Sequence, residues 1–462
     1  MGAAPRAGGG ADAHVAVVGG GLAGITAALA LQEAGVRTTI FEARPRLGGA
    51  TCSFRRGGLT VDNGQHVFLR CCTAYRGLLR RLGVEHRVRV QDRFAVDVLT
   101  PHGPAGRLRR ARLPGPLHLL PALAGYELLP PGDRLRAARA ALALRRLDPA
   151  EPRLDRVSMG SWLAEHGQRW WPRQALWELF VTAALNIRLD EAALGPAAMV
   201  CRTALLGRSD AADIGIASAP LGDLHGTAAL RRVQRAGGQV RLRAKVEAVR
   251  AGPKLVVDGT AVAADAVVVA VPHQAAAGLV PEEACPDRDR WSGLGASPII
   301  NVHVVYDAPV TDLPFAAAVG SPVQWVFDRT AVSGLGRGQY LAVSVSAADR
   351  WIDVPTAELR PVFLSALERL FPAARQAGVV DFFVTRERTA TFRQAPGSGA
   401  LRPPAATRMP GVVLAGAWTD TGWPDTMEGA VRSGLTAARL VRRHLRDRGL
   451  LSPRMAEGVG AR

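Results

Sequence analysis

The stretch VAVVGGGLAGITAAL (residues 15–29) decides how this chain begins to fold. Its first part belongs to HVAVV (14–18), an apolar run with the pattern of a strand buried in a parallel sheet. Gly19, Gly21 and Gly24 follow as G-x-G-x-x-G, after which Leu22, Ile25 and Leu29 recur at helical spacing. Gly19 permits the tight turn, Gly21 lets the backbone approach a pyrophosphate, and Gly24 lets helix and strand pack closely. The helix N-terminus turns its free N–H groups toward the phosphates. A second apolar run, RTTIFEA, contains Glu42, 18 residues after Gly24. A carboxylate there accepts hydrogen bonds from the adenosine ribose hydroxyls and repels a 2′-phosphate, which argues against NADP.

The bulk composition sets the limits around this motif. A chain of 462 residues, 48% hydrophobic and 21% charged, is a folded protein of two or three domains. It has no uninterrupted apolar run long enough to span a membrane. The opening MGAAPRAGGGADA lacks the apolar core of a signal peptide, and Arg6 stands where a myristoylation signal wants Ser or Thr. Cys52, Cys71, Cys72, Cys201 and Cys285 are scattered, without a CxxC pair, so neither a disulfide framework nor a metal site is signalled. A cytoplasmic protein is expected. The formal net charge is +18, and every basic residue except Lys245 and Lys254 is arginine. No nucleic-acid module accompanies that charge, so a nucleic-acid partner is not expected.

Beyond Glu42 the chain departs from a nicotinamide-binding domain. The run ARPRLGGATCSF places a second glycine pair, Gly48 and Gly49, within seven residues of the ribose acid. Near the other end, GVVLAGAWTDTGWPDTMEGAVRSGLTAARLV (411–441) supplies another strand, glycine turn and helix start. A dinucleotide too long for one half-site needs such a distant cap.

In these runs the chain resembles the FAD-dependent amine oxidase and phytoene desaturase superfamily. Within it, DNGQHVFLRCCTAYRGLLRRLG (62–83), ALNIRLDEAALG (184–195) and the C-terminal run are similar to the hydroxysqualene dehydroxylases. The resemblance implies an α/β fold: a discontinuous Rossmann-like FAD-binding domain plus an α+β substrate domain with an antiparallel sheet. It also implies FAD as cofactor. Gly19, Gly21, Gly24 and Glu42 would hold the ADP half, with Ala43, Arg46, Gly48 and Gly49 in the run just after. Gly64, Gln65, His66 and Val67 would lie near the isoalloxazine, and Val246 would meet the adenine through its backbone. Gly416, Asp420, Met427 and Glu428 would close the phosphate, ribityl and flavin O2 end. Two positions depart from the superfamily's pattern: Ala50 replaces an arginine after the glycine pair, and Ala417 replaces an acidic residue. Arg44, Arg46 and Asp420 stand nearby as substitutes.

The FAD-binding domain is expected to draw on 10–70, 222–290 and 405–445, and the substrate domain on 71–221 and 291–404. Residues 1–9 and 446–462 read as loose tails. Asp258–Gly259 marks a two-residue hairpin. The pattern makes 71–221 largely helical. Strands are expected over 299–306, 323–327, 340–346 and 379–392, with a helix around 356–371.

The implied reaction is reductive loss of hydroxyl from hydroxysqualene, giving squalene, with an apolar isoprenoid as substrate. The hydroxyl is allylic, so its departure as water needs an acid, and hydride then passes from reduced FAD. His66 and Asp62 are the candidates for that acid, against the reading that Asp62 structures a turn and His66 lends only its backbone. Trp162, Trp170, Trp171, Trp177 and Phe180 are either helical core or the aromatic wall of a tunnel. The arginine-leucine stretch 107–146, with Arg134, Arg136 and Arg139, is either a solvated surface or a peripheral membrane patch. Three alternatives remain open: a carotenoid-type desaturase, another flavoenzyme of the superfamily, and a flavin-bound scaffold associating with squalene-forming prenyl synthases.

Overall fold

Burial on both faces is what the first strand's composition demands, and the structure supplies it. The computed structural model describes residues 13–101 and 106–451. His14–Val18 is the central strand of a five-stranded parallel sheet. Arg37–Glu42 and Ala266–Val269 flank it, with Gln239–Leu242 and Val412–Leu414 at the edges. On one face Val15, Val17 and Val268 pack against the helices Leu22–Gln32 and Met427–Asp447. On the other, Ala16, Val18 and Val267 pack against a three-stranded antiparallel sheet, Val246–Arg250, Lys254–Val257 and Thr260–Ala263. The hairpin joining the last two turns at Asp258 (φ 49°) and Gly259 (φ 71°), as that dipeptide predicts.

The two helices on the first face touch through small residues. A side chain at Gly434 would run into the Ala23 carbonyl, so the beginning and the end of the chain lie against one another. The last helix reaches Asp447, beyond the expected start of a tail at 446. The expected tail 1–9, and 452–462 of the other tail, lie outside the described residues.

A second sheet of seven strands forms the other body, in the order 379–391, 297–306, 339–345, 325–328, 315–318, 95–99 and 106–109. Its pairs are antiparallel except 315–318 with 95–99. The helix Thr356–Leu370 covers it through Leu359, Phe363 and Leu367. Strands at 88–90, 95–99, 106–109 and 214–217 interrupt the region expected to be helical. They are three to five residues long; 88–90 and 214–217 find partners far off in sequence, whereas 106–109 pairs only with 95–99. No helix among the described residues is long and apolar enough to cross a membrane.

Candidate functional site: a cleft at the switch point of the parallel sheet

Neighbouring strands leave His14–Val18 on both sides, so the sheet's connections diverge at its C-terminal edge, where open α/β sheets bind ligands. The glycine turn sits there. Gly19 takes φ 102°, and Gly21 is the N-cap of the helix Leu22–Gln32, with no side chain to occupy the first N–H groups. A Cβ on Gly24 would collide with the Gly19 carbonyl, the close helix–strand approach expected of it. Glu42 ends the second strand with its carboxylate beside this turn: Oε2 accepts from the Gly20 N–H (2.7 Å) and Oε1 from the Arg44 N–H (2.8 Å).

The second glycine pair closes over the first turn. The Gly48 N–H donates to the Gly20 carbonyl (2.8 Å), and a Cβ on Gly49 would stand 2.8 Å from the Gly21 Cα. Arg44 and Arg46 both aim Nη1 at the Gly49 carbonyl, at 3.3 and 3.4 Å. Two guanidinium groups therefore converge on the loop that carries Ala50 instead of arginine. Ala43 is exposed beside them. Val246 is buried, and the segment before it is tied to this corner by the Ala244 N–H on the Glu42 carbonyl (3.0 Å).

Asp62 and the run Gly64–Val67 follow the second glycine pair in the chain. The Asp62 carboxylate accepts three hydrogen bonds, from Ser53 Oγ (2.5 Å), the Leu221 N–H (2.9 Å) and Arg329 Nη2 (2.8 Å), the last a buried ion pair. It anchors the start of the Gly222–Thr227 helical turn. Asp62, Gln65, His66, Val67, Phe327 and Arg329 line a small crevice there. Gln65 Nε2 is buried without a hydrogen-bond partner. His66 is half-buried, and desolvation lowers its pKa and favours the neutral ring, although the Gly64 carbonyl and the Asp62 and Glu387 carboxylates oppose the shift.

Sequence reasoning missed His225. Its ring is fully buried, which lowers its pKa to about 3, with His66 close enough to add to the effect. Nε2 pairs with Tyr75 OH (2.8 Å), while Nδ1 has no partner. The neighbouring Gly226 N–H lies 3.6 Å from where a Gly48 side chain would begin. Lone histidines in helical runs give no warning of such a position.

The C-terminal run completes the enclosure. Gly416 (φ 145°) donates its N–H to Ser433 Oγ (2.8 Å), and Met427 opens the last helix behind the Thr426 cap. Glu428 is buried, and its carboxylate accepts from the N–H groups of Ala74 (3.1 Å) and Tyr75 (2.7 Å) and pairs with Arg432 (2.7 Å). Its side chain thus ties the last helix to Thr73–Leu82, and Tyr75 continues the link to His225. Asp420 is exposed on the rim, while Ala417 is buried and gives its carbonyl to Arg402 (2.9 Å). Asp425, also missed, borders the helix start: Oδ2 accepts from the Phe392 N–H (2.9 Å), and burial lifts the carboxyl to about 6 against that bond and Arg402.

Asn186, Trp162 and Trp177 pack within the protein. Asn186 (φ 51°) ends a helix and bonds the Ser297 carbonyl (2.9 Å), Thr391 Oγ1 (3.1 Å) and the Ala347 N–H (2.8 Å). Trp162 and Trp177 are buried among helices, whereas Trp170 is 64% exposed.

These residues fit FAD. An N-terminus without a side-chain cap, two glycine turns in backbone contact, paired arginines and the orphaned Gln65 amide together form a cradle that runs from the first glycine turn toward the last helix. Among the described residues no cluster of metal-binding side chains is present.

The family model of flavin containing amine oxidoreductases matches residues 22–442. Hydroxysqualene dehydroxylase of Rhodopseudomonas palustris is 30% identical across 92% of this chain and 98% of its own length. Its namesake in Sinorhizobium fredii is 29% identical over 92% and 98%. A tomato 15-cis-phytoene desaturase is 25% identical over 93% of this chain and 77% of its own. In fold, cyclohexylamine oxidase of Brevibacterium oxydans superposes with a TM-score of 0.71 at 21% identity, covering 94% of this chain and all of that one. The chain belongs to the flavin containing amine oxidoreductase family, in the branch that holds the hydroxysqualene dehydroxylases.

Proposed function

We propose that this chain reduces hydroxysqualene to squalene. The observation that carries the reading is the end-to-end match to relatives of that name, across both the cofactor cleft and the substrate body. Exchanging C–OH for C–H consumes one proton and one hydride and releases water. Bound FAD in its reduced form supplies the hydride. The protein must exclude water, hold the allylic carbon in place and hold a proton at the departing oxygen.

Asp425, two residues before the last helix, is the carboxyl whose burial keeps the acid form present toward neutral pH, and that last task is assigned to it. Asp62 has its acceptor capacity engaged by three donors, and His66 is favoured as a neutral ring, so both suit an ordering role along the crevice. Phe327, Ile216, Val67 and Leu221 give the crevice an apolar lining. A substrate of this kind resides in lipid, which carries with it a peripheral position at a membrane.

The test is product analysis. Holoenzyme under anaerobic chemical reduction should convert hydroxysqualene to squalene and leave phytoene untouched. Desaturation of phytoene by the oxidised holoenzyme, with hydroxysqualene recovered intact, would move the chain to the desaturase reading suggested by its 25% identical relatives.

A further inference from the structure

The helix Pro131–Arg146 is amphipathic in an inverted sense. Its inward side buries Asp133, Ala137, Ala140 and Leu144, while the larger Leu135 and Leu142 stand 54% and 53% exposed, two turns apart. Arg139 and Arg146 are exposed in the same stripe, so the outward sequence runs Leu, Arg, Leu, Arg at spacings of four, three and four. Placing two of the helix's three leucines outside, while alanines fill much of the inside, is the wrong way round for a helix whose outer face meets only water.

The apolar exposure continues next to it. In the neighbouring turn and helix Leu117–Ala124, Leu117 and Leu120 are 48% and 44% exposed. Arg134 clasps the two elements together, donating Nη1 to the Ala124 carbonyl (2.5 Å) and Nε to the Leu129 carbonyl (2.7 Å). Trp171, beside the exposed Trp170, donates its indole N–H to the Leu128 carbonyl (2.7 Å), in the loop between the two elements. Six of the ten large apolar side chains exposed among the described residues fall between 113 and 170, a concentration that scattered surface leucines do not produce.

Charge selects the occupant. Residues 98–147 contain nine arginines and only two acids, Glu127 and Asp133. Asp133 is buried and paired with Arg136 (2.7 Å). With Arg134 and Arg136 engaged, the cations free to meet a partner on the helix are Arg139, Arg145 and Arg146. Leucines interleaved with arginines along one face match the acyl–headgroup boundary: apolar tips enter the chain region while guanidinium groups stay at the phosphates.

We propose that this face, centred on Leu117, Leu120, Leu135, Leu142 and Trp170, docks onto an anionic lipid bilayer, with Arg139, Arg145 and Arg146 at its headgroups. The proposal stands on surface chemistry and does not depend on the reaction assigned above.

Flotation of holoprotein with vesicles tests it. At near-physiological salt the protein should float with phosphatidylcholine vesicles containing 30% phosphatidylglycerol and much less with phosphatidylcholine alone. Leu135→Ser/Leu142→Ser should lower the bound fraction about tenfold, and Arg139→Glu/Arg145→Glu/Arg146→Glu should abolish it. Both sets lie at exposed positions, so unchanged flavin content and circular dichroism are expected. Wild-type protein that fails to float, or a leucine variant that floats equally well, would overturn insertion. A wild-type dimer in light scattering that the leucine variant splits would assign the face to a second copy instead, and overturn the proposal too.

Discussion

Gly49 takes φ 57° with its α-carbon facing Gly21, and no other residue suits both conditions. Left-handed geometry costs a side chain about 1–2 kcal/mol, before the collision with the first glycine turn is counted. Gly49→Ala should therefore weaken FAD binding roughly tenfold or more, since 1.4 kcal/mol is a factor of ten. The ratio of flavin to protein absorbance after dialysis measures it. Asp425 makes a prediction with a definite sign. Its folded pKa of about 6 lies above the ordinary 3.8, so it stabilises the fold fully below 3.8 and loses that contribution as pH rises to about 6. Asp425→Asn should then unfold at a higher temperature than wild type at pH 8 and show no such gain at pH 4. If Asp425 holds the proton for the reaction, wild-type turnover should fall above pH 6, and the variant should lose that limb and about 100-fold in rate. Glu42 could be read from the sequence because its role follows from a local strand–turn–helix spacing. Asp425 could not, because its acidity is set by burial at Phe392 and Gln394, residues that the linear pattern does not connect to it.

At the scale of elements, the last helix is fixed by one carboxylate. Glu428 satisfies two N–H groups at the start of Thr73–Leu82, so Glu428→Ala leaves both without an acceptor. The expected loss is about 2–4 kcal/mol of stability, read from chemical denaturation, with flavin released at lower denaturant than in wild type. The central strands, the Asp258–Gly259 hairpin and the helix near 356–371 were legible because apolar runs and turn residues mark them directly. The run GQVRLRAKVEAV reads as one alternating stretch, yet Arg243 (φ 57°) breaks it. Gln239–Leu242 then joins the parallel sheet and Val246–Arg250 the antiparallel one. The sheet receiving each half lies too far away in sequence for alternation to reveal the break.

At the scale of the molecule, three separated stretches of chain build one parallel sheet, and the first and last of them meet where Gly434 lies against the Ala23 carbonyl. His225 and His303, both buried with pKa values lowered to about 3, couple the whole fold to pH in the sense opposite to Asp425. They stabilise the neutral-ring fold above about 6.5, and that contribution is lost as pH falls from 6.5 toward 3. Urea midpoints should drop over that window, and less steeply for His225→Asn. The most direct test of the account is a single turnover. Photoreduced holoenzyme is mixed with excess hydroxysqualene in the absence of oxygen, and flavin absorbance is followed. The account predicts reoxidation of the flavin with one squalene formed for each flavin; reduced flavin that persists, with no squalene in the extract, would contradict it.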